Sequence, residues 1–203
     1  MNSDFERHFH ALGFVHIAGV DEAGRGPLAG PVVAAAVVFP PGTEIAGVDD
    51  SKKLRPEKRE ELYDEIIRVA LGYGIGMADH ETIDRINILN ATFAAMHNAL
   101  EQLPFRPDHV LVDGNRFLTV DYNFTTIVGG DARCFSIAAA SILAKVWRDR
   151  LMVKLDGEYP GYGFARHKGY GTPQHLRALR ELGPCPVHRQ SFLRSILLRE
   201  ESP

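Results

Sequence analysis

Apolar positions along the chain follow two rhythms, one of period two and one helical. VHIAGV, Val15 to Val20, is short and β-prone and runs into Asp21-Glu22 and a glycine-rich stretch, which predicts a strand ending in a loop at Asp21. Pro31 to Phe39 is the next strand; the segment between is too short for a crossover helix, so the pair is expected to be antiparallel. From Pro56 the spacing changes. Leu62, Ile66 and Val69 share one face of an amphipathic helix reaching about Ala70, with Gly72 where a C-terminal cap would sit. Tyr73 to Ala78 reads as a strand, and Ile86 to Leu103 as a helix that Pro104 ends. His109 to Val112 is a buried strand terminating at Asp113. Asn123 to Val128 is a further strand, followed by Gly129-Gly130-Asp131 and an Ala-rich helix from about Arg133 to Leu155. The small residues between Ile137 and Ser141 predict close packing against a sheet. Thr172 and Pro173 open another helix that Gly183 follows, and Phe192 to Arg199 predicts a last one. No repeat or linker interrupts this order, so residues 1–203 are expected to form one α/β domain.

Composition narrows the class without naming an activity. With 45% hydrophobic and 24% charged residues, the 203-residue chain is of ordinary globular make-up. Cys134 and Cys185 lie far apart and outside any C-x-x-C pattern, so no disulfide framework or cysteine zinc site is expected, and a reducing cytoplasm fits. Residues 1–12 are too polar for a signal peptide. The longest apolar run, Val32 to Phe39, is far shorter than the roughly 20 residues that span a bilayer. Net charge is −3, yet its distribution is uneven: Glu44 to Asp84 holds eleven acidic and six basic residues, whereas Gly161 to Arg199 holds seven Arg or Lys and only Glu181. A solvated helical surface would account for the basic stretch; a phosphate-backbone footprint is the sharper reading.

Acidic residues recur at strand ends: Asp21-Glu22, Asp113, and Asp131 after two glycines. Singly, each serves equally well as a cap or turn former. Brought together, four carboxylates repel and raise one another's pKa values unless cations hold them. Oxygen ligands without cysteine or clustered histidine suit Mg²⁺ or Mn²⁺. The nine histidines are scattered and show no H-E-x-x-H, so each reads as a surface or packing residue. Gly24-Arg25-Gly26 follows the first acidic pair and would let main-chain N–H groups approach an anion or a sugar, where a Cβ on Gly24 would intrude. No P-loop or dinucleotide fingerprint is present. Lys52 and Lys53 of DSKKL could meet phosphates, and the mixture of aromatics and cations from Tyr162 to Tyr170 suits stacking on a base while gripping a backbone.

In order, GVDEAGRGPLAGPVV (Gly19 to Val33), DSKKL (Asp50 to Leu54), NILNAT (Asn87 to Thr92), VLVDGN (Val110 to Asn115), GGDA (Gly129 to Ala132), AAASILAKVWRD (Ala138 to Asp149) and YGFARHKGYGT (Tyr162 to Thr172) resemble the bacterial ribonuclease HII family over nearly the whole chain. The resemblance implies a ribonuclease H-like fold, a mixed β-sheet flanked by helices with a C-terminal helical segment, and 161–203 as a basic substrate-binding portion. It implies a metal-dependent endonuclease that cuts on the 5′ side of a ribonucleotide in RNA–DNA hybrids or in duplex DNA, as in ribonucleotide excision, leaving a 3′-hydroxyl and a 5′-phosphate. Catalytic and metal-binding roles fall on Asp21, Glu22, Asp113 and Asp131, with Mg²⁺ or Mn²⁺ as cofactor. Substrate-binding roles fall on Gly24, Arg25 and Gly26, which would read the ribose hydroxyl, on Tyr170 at the RNA-to-DNA junction, and on Ser51, Lys52, Lys53, Asn115, Ser141, Lys145 and Lys168. The implied partner is nucleic acid alone, for a monomer with no membrane and no required protein. Gly129 and Gly171 depart from the family, which commonly carries lysine and proline there. Ribonuclease HIII is the nearest alternative, but has Gly-Lys-Gly in place of Gly24 to Gly26 and a large N-terminal domain. Another ribonuclease H-like nuclease would lack DSKKL and HKGY, and a noncatalytic nucleic-acid-binding module would not need all four carboxylates.

Overall fold

The computed structural model describes residues 3–119 and 121–194. Its elements run α1 (Asp4–Ala11), β1 (Ile17–Ala23), β2 (Val32–Val38), α2 (Pro56–Val69), β3 (Gly72–Ala78), α3 (His80–Glu101), β4 (His109–Asp113) and β5 (Phe124–Ile127). A short 3₁₀ turn (Gly130–Ala132), α4 (Phe135–Glu158), α5 (Phe164–His167) and α6 (Pro173–Leu182) follow. Residues 190–194 are helical, and the rest of the helix expected from Phe192 to Arg199 lies outside the described residues.

The five strands form one mixed sheet in the order β3-β2-β1-β4-β5. β1, β2 and β3 pair antiparallel, as the short connection after β1 requires, and β4 and β5 add in parallel to β1. β2 is buried at every position because helices cover both faces. On one face Ala18, Val20, Ala34, Ala36, Val110 and Val112 pack against Ala91, Ala95, Met96 and Ala99 of α3. On the other, Val33, Ala35 and Val37 meet Ala139, Ile142 and Leu143 of α4 together with Leu62 and Ile66 of α2. The small residues of α4 bring the helix close, as expected: a Cβ built on Gly19 of β1 would lie 2.2 Å from the Ser136 carbonyl carbon.

Four elements differ from the expectation. β1 continues through Asp21 and Glu22 to Ala23, so both acids belong to the strand rather than the loop, since Asp21, Glu22 and Ala23 still find Ala35, Ala34 and Val33 opposite them on β2. Gly72 does not cap α2. The chain turns directly into extended conformation at Ala70, no left-handed residue is needed, and Gly72 opens β3. Helix α3 starts at His80, capped by Asp79, and is broken at Asn87, whose φ is 67° and whose Oδ1 accepts the Asn90 N–H as the cap of a second segment. The N-terminal segment, assigned no element from the sequence, is helix α1: Phe5 and Phe9 pack with Phe14 on Leu111, Ile127 and Ile137. Helix α1 also reaches across the fold, because Glu6 Oε1 accepts the Ser136 N–H at 2.7 Å and the Cys134 thiol at 3.1 Å, capping α4 where its own N-cap residue, Cys134, makes no side-chain capping bond.

Candidate active site

The parallel register of β1 and β4 pairs Val20 with Val112, so the next residues, Asp21 and Asp113, stand abreast at the ends of adjacent strands, on the face that α4 covers. β5 then delivers Gly129, with φ of 65°, into the 3₁₀ turn that carries Asp131. The Gly130 N–H donates to Asp113 Oδ1 at 2.6 Å, tying turn to strand. Glu22 completes a group of four carboxylates at one end of the sheet.

Their surroundings are unfavourable for negative charge. Burial raises the Asp21 pKa well above the ordinary aspartate range, and repulsion from Glu22, Asp113 and Asp131 adds to it. Burial also raises Glu22, opposed by Arg25 Nη1 at 3.1 Å from its Oε1, and raises Asp113, where repulsion from Asp131 adds. Lys52 Nζ lies 2.9 Å from Asp131 Oδ2, and this bond raises the lysine's pKa. Among the described residues no three His, Cys, Asp or Glu side chains are arranged as a ready-made metal cage. The four carboxylates rest instead on separate donors: the Glu22 N–H for Asp21, Arg25 for Glu22, the Gly130 N–H for Asp113 and Lys52 for Asp131. An all-oxygen donor set with mutual repulsion and a lysine ammonium at its edge fits hard divalent cations.

Beside the carboxylates opens a cleft of about 240 Å³. Asp21, Glu22 and Asp113 line it with Gly24, Arg25, Gly26, Lys52, Lys145 and Tyr170. Ser51 and Ser141 also border it, but their hydroxyls are buried and bonded to each other at 2.6 Å, docking the DSKKL loop on α4. Lys145 pairs with Asp149 at 2.7 Å. It is shared with a second, basic groove of about 460 Å³ that also holds Arg59, Arg150, Arg166 and Lys168. Lys53 and Asn115 line neither: Lys53 turns to Asp49 at 3.4 Å, and Asn115 is exposed beyond Asp113.

Two residues that sequence reasoning missed hold the cleft wall. Arg148, buried in α4, donates from Nε to the Pro31 carbonyl, from Nη2 to Ala29 and from Nη1 to Lys168. Arg189, also buried, donates to the carbonyls of Gly24, Arg25 and Gly30. Arg189 therefore leaves the basic stretch expected to meet phosphates and becomes an internal clamp. A Cβ on Gly24 would point inward, 2.0 Å from Arg148 Nε at a φ of +95°, and not toward the cleft. Beneath Tyr170, His167, His175 and His188 form a buried set rather than a scatter. His175 Nδ1 bonds the Tyr170 carbonyl and its Nε2 bonds His188, and burial lowers the His175 pKa to about 4. Burial lowers the His188 pKa as well, and the three rings pack together to fix the Tyr170 loop.

A sequence model of the ribonuclease HII family matches residues 18–195. The chain is 57% identical to ribonuclease HII of Geobacter metallireducens over 188 residues, covering 93% of this chain and 88% of the relative. Its fold is similar to that of ribonuclease H2 from Pyrococcus horikoshii, with TM-score 0.75 at 29% identity over 93% of this chain and 100% of that one. It is also similar to a chain in the PCNA:RNase HII complex from Archaeoglobus fulgidus, with TM-score 0.70 at 27% identity over 87% and 94% of the two chains.

Proposed function

Because the chain belongs to the ribonuclease HII family and is an endoribonuclease, we propose that it hydrolyses the phosphodiester on the 5′ side of a ribonucleotide paired with or embedded in DNA, leaving a 3′-hydroxyl and a 5′-phosphate. One observation carries the reading: Asp21 and Asp113 stand abreast on parallel strands, with Glu22 and Asp131 at the same sheet end, directly beside the Gly24 to Gly26 loop. Asp21, Glu22, Asp113 and Asp131 are the residues that would hold Mg²⁺ or Mn²⁺, which when bound supplies Lewis-acid stabilisation of phosphate oxygens and acidifies a water.

The chain's own residues do the rest. Lys52 neutralises Asp131 at the cleft edge, and Arg25 orients Glu22. The Gly24 to Gly26 backbone faces the sugar, where the 2′-hydroxyl is the group that distinguishes RNA from DNA. Tyr170, 45% exposed, offers a ring against the junction, 3.6 Å from where a Cβ of Gly26 would lie. Lys145, Arg166 and Lys168 track the backbone along the adjoining groove. In this reading the enzyme works on nucleic acid as a single domain and a monomer in the cytoplasm, excising ribonucleotides without a required protein partner. Among the described residues no helix is long and apolar enough to cross a membrane. The test is Mg²⁺-dependent cleavage of duplex DNA carrying one ribonucleotide: a single cut at its 5′ side supports the reading, and no cut, or equal cutting of the all-DNA duplex, refutes it.

A further inference from the structure

We infer that Arg148 and Arg189 are positioning residues for discrimination: by fixing the Gly24, Arg25, Ala29, Gly30 and Pro31 carbonyls on buried guanidinium groups, they leave the Gly24 to Gly26 N–H groups free to meet the 2′-oxygen as an acceptor. The inference rests on the function proposed above and concerns how its selectivity is built. An arginine offers a planar fork of donors and no acceptor, so each guanidinium fixes the direction of every carbonyl that it holds. Arg189 takes Gly24, Arg25 and Gly30, and Arg148 takes Ala29 and Pro31. The Leu28 carbonyl is held too, by the Arg189 N–H at 2.8 Å. Among the described residues no acceptor is bonded to the N–H of Gly24, Arg25 or Gly26, and all three residues line the cleft. A loop left free to flip its peptides would offer carbonyls there as well, and would lose its preference for an oxygen lone pair over empty space.

The clamp also couples the two walls of the cleft. Arg148 Nη1 donates to the Lys168 carbonyl, and the Leu28 N–H donates to Gly169, so the Tyr170 loop and the Gly24 loop hang from one guanidinium. Neither arginine forms an ion pair among the described residues; carbonyl dipoles solvate both, and the Arg189 guanidinium also lies over the Phe192 ring, 5.1 Å from its centroid. Burial lowers Arg148 to about 10 and Arg189 to about 9, so both remain charged at neutral pH and retain their full set of donors.

The experiment compares wild type with Arg189→Lys, which keeps the charge but replaces three separate guanidinium nitrogens, each on its own carbonyl, with one ammonium nitrogen that cannot reproduce the planar fork. Fluorescence anisotropy in EDTA gives the affinity for a duplex with one ribonucleotide and for the same duplex in all-DNA form. Arg189→Lys, folded by circular dichroism, is expected to lose about tenfold of the preference for the ribonucleotide duplex, the worth of one charge-assisted hydrogen bond, with affinity for the all-DNA duplex and its salt slope unchanged. A folded variant that keeps its preference within about twofold overturns the inference. Should the variant not fold, amide exchange of the wild-type protein decides: the Gly24 to Gly26 N–H groups become protected with the ribonucleotide duplex and not with the all-DNA one, and equal protection by both is refuting. If wild type itself shows no preference, the proposed function fails and takes the inference with it, a result distinct from a preference that survives in Arg189→Lys.

Discussion

Replacing Gly24 by alanine tests the inner wall of the cleft. The new methyl would sit 2.0 Å from Arg148 Nε and 2.5 Å from its Cδ, on a backbone with φ of +95°. Holding a residue with a Cβ in left-handed space costs roughly 1 to 2 kcal/mol. If Arg148 yields, the buried Pro31 carbonyl, now 3.0 Å from Nε, loses its donor, and each such orphan costs about 1 to 3 kcal/mol. With one carbonyl released the total is about 2 to 5 kcal/mol, a fall in melting temperature of about 4 to 20 °C for a chain of this size. Thermal unfolding followed by circular dichroism measures it, alone and in an Arg148→Ala background. There the obstructing side chain is already gone, so Gly24→Ala should add only the backbone strain. The reasoning is refuted if Gly24→Ala melts with the parent, or if its cost is the same with and without Arg148.

Asp21→Asn should abolish cleavage while leaving the fold intact. The wild-type carboxyl has a raised folded pKa, so without metal its contribution to stability is full below the ordinary aspartate pKa and is lost as pH rises through the raised value; a melting profile in EDTA that keeps this decline in Asp21→Asn contradicts the assignment. Asp131→Asn should likewise stop cleavage, checked by the same single-ribonucleotide assay at saturating Mg²⁺, since it removes the carboxylate that Lys52 holds. Lys168→Ala should lower the slope of log affinity against log salt by about one unit and weaken ribonucleotide and all-DNA duplexes alike; an unchanged slope removes Lys168 from the backbone-tracking groove. Tyr170→Ala should cut the single-ribonucleotide duplex far more slowly than wild type with little loss of melting temperature, because its ring is nearly half exposed; full activity rules out a junction role.

The strand-end acids were legible because a carboxylate that follows a buried apolar run has few structural uses, and three such ends in one sheet converge once β1, β4 and β5 run parallel. Side-chain direction was not legible. DSKKL contains Ser51, Lys52 and Lys53 in succession, yet one is buried on Ser141, one reaches Asp131 and one turns away to Asp49. Arg148 and Arg189 escaped because arginines are rarely buried without a carboxylate, and an arginine set among Lys145, Asp149 and Arg150, or in a basic tail, reads as surface. The histidines looked scattered because Lys168 and Gly169, both at positive φ, fold the chain back after α5 and bring His167 onto His175, a reversal that composition does not announce.

The cap that Glu6 places on Ser136 joins residues 130 positions apart, so α1 waits for this partner while all five strands are made. At synthesis rates of about 5 to 20 residues per second, that interval is on the order of 6 to 26 seconds. For most of it Phe5 and Phe9 lack Leu111, Ile127 and Ile137, which cover them in the folded chain. A strongly apolar helix in that place would be a hazard to the nascent chain, whereas Asp4, Glu6, Arg7, His8 and His10 keep α1 soluble until α4 emerges. The polarity that rules out a signal peptide there is thus also what suits a helix that waits long for the surface it docks on.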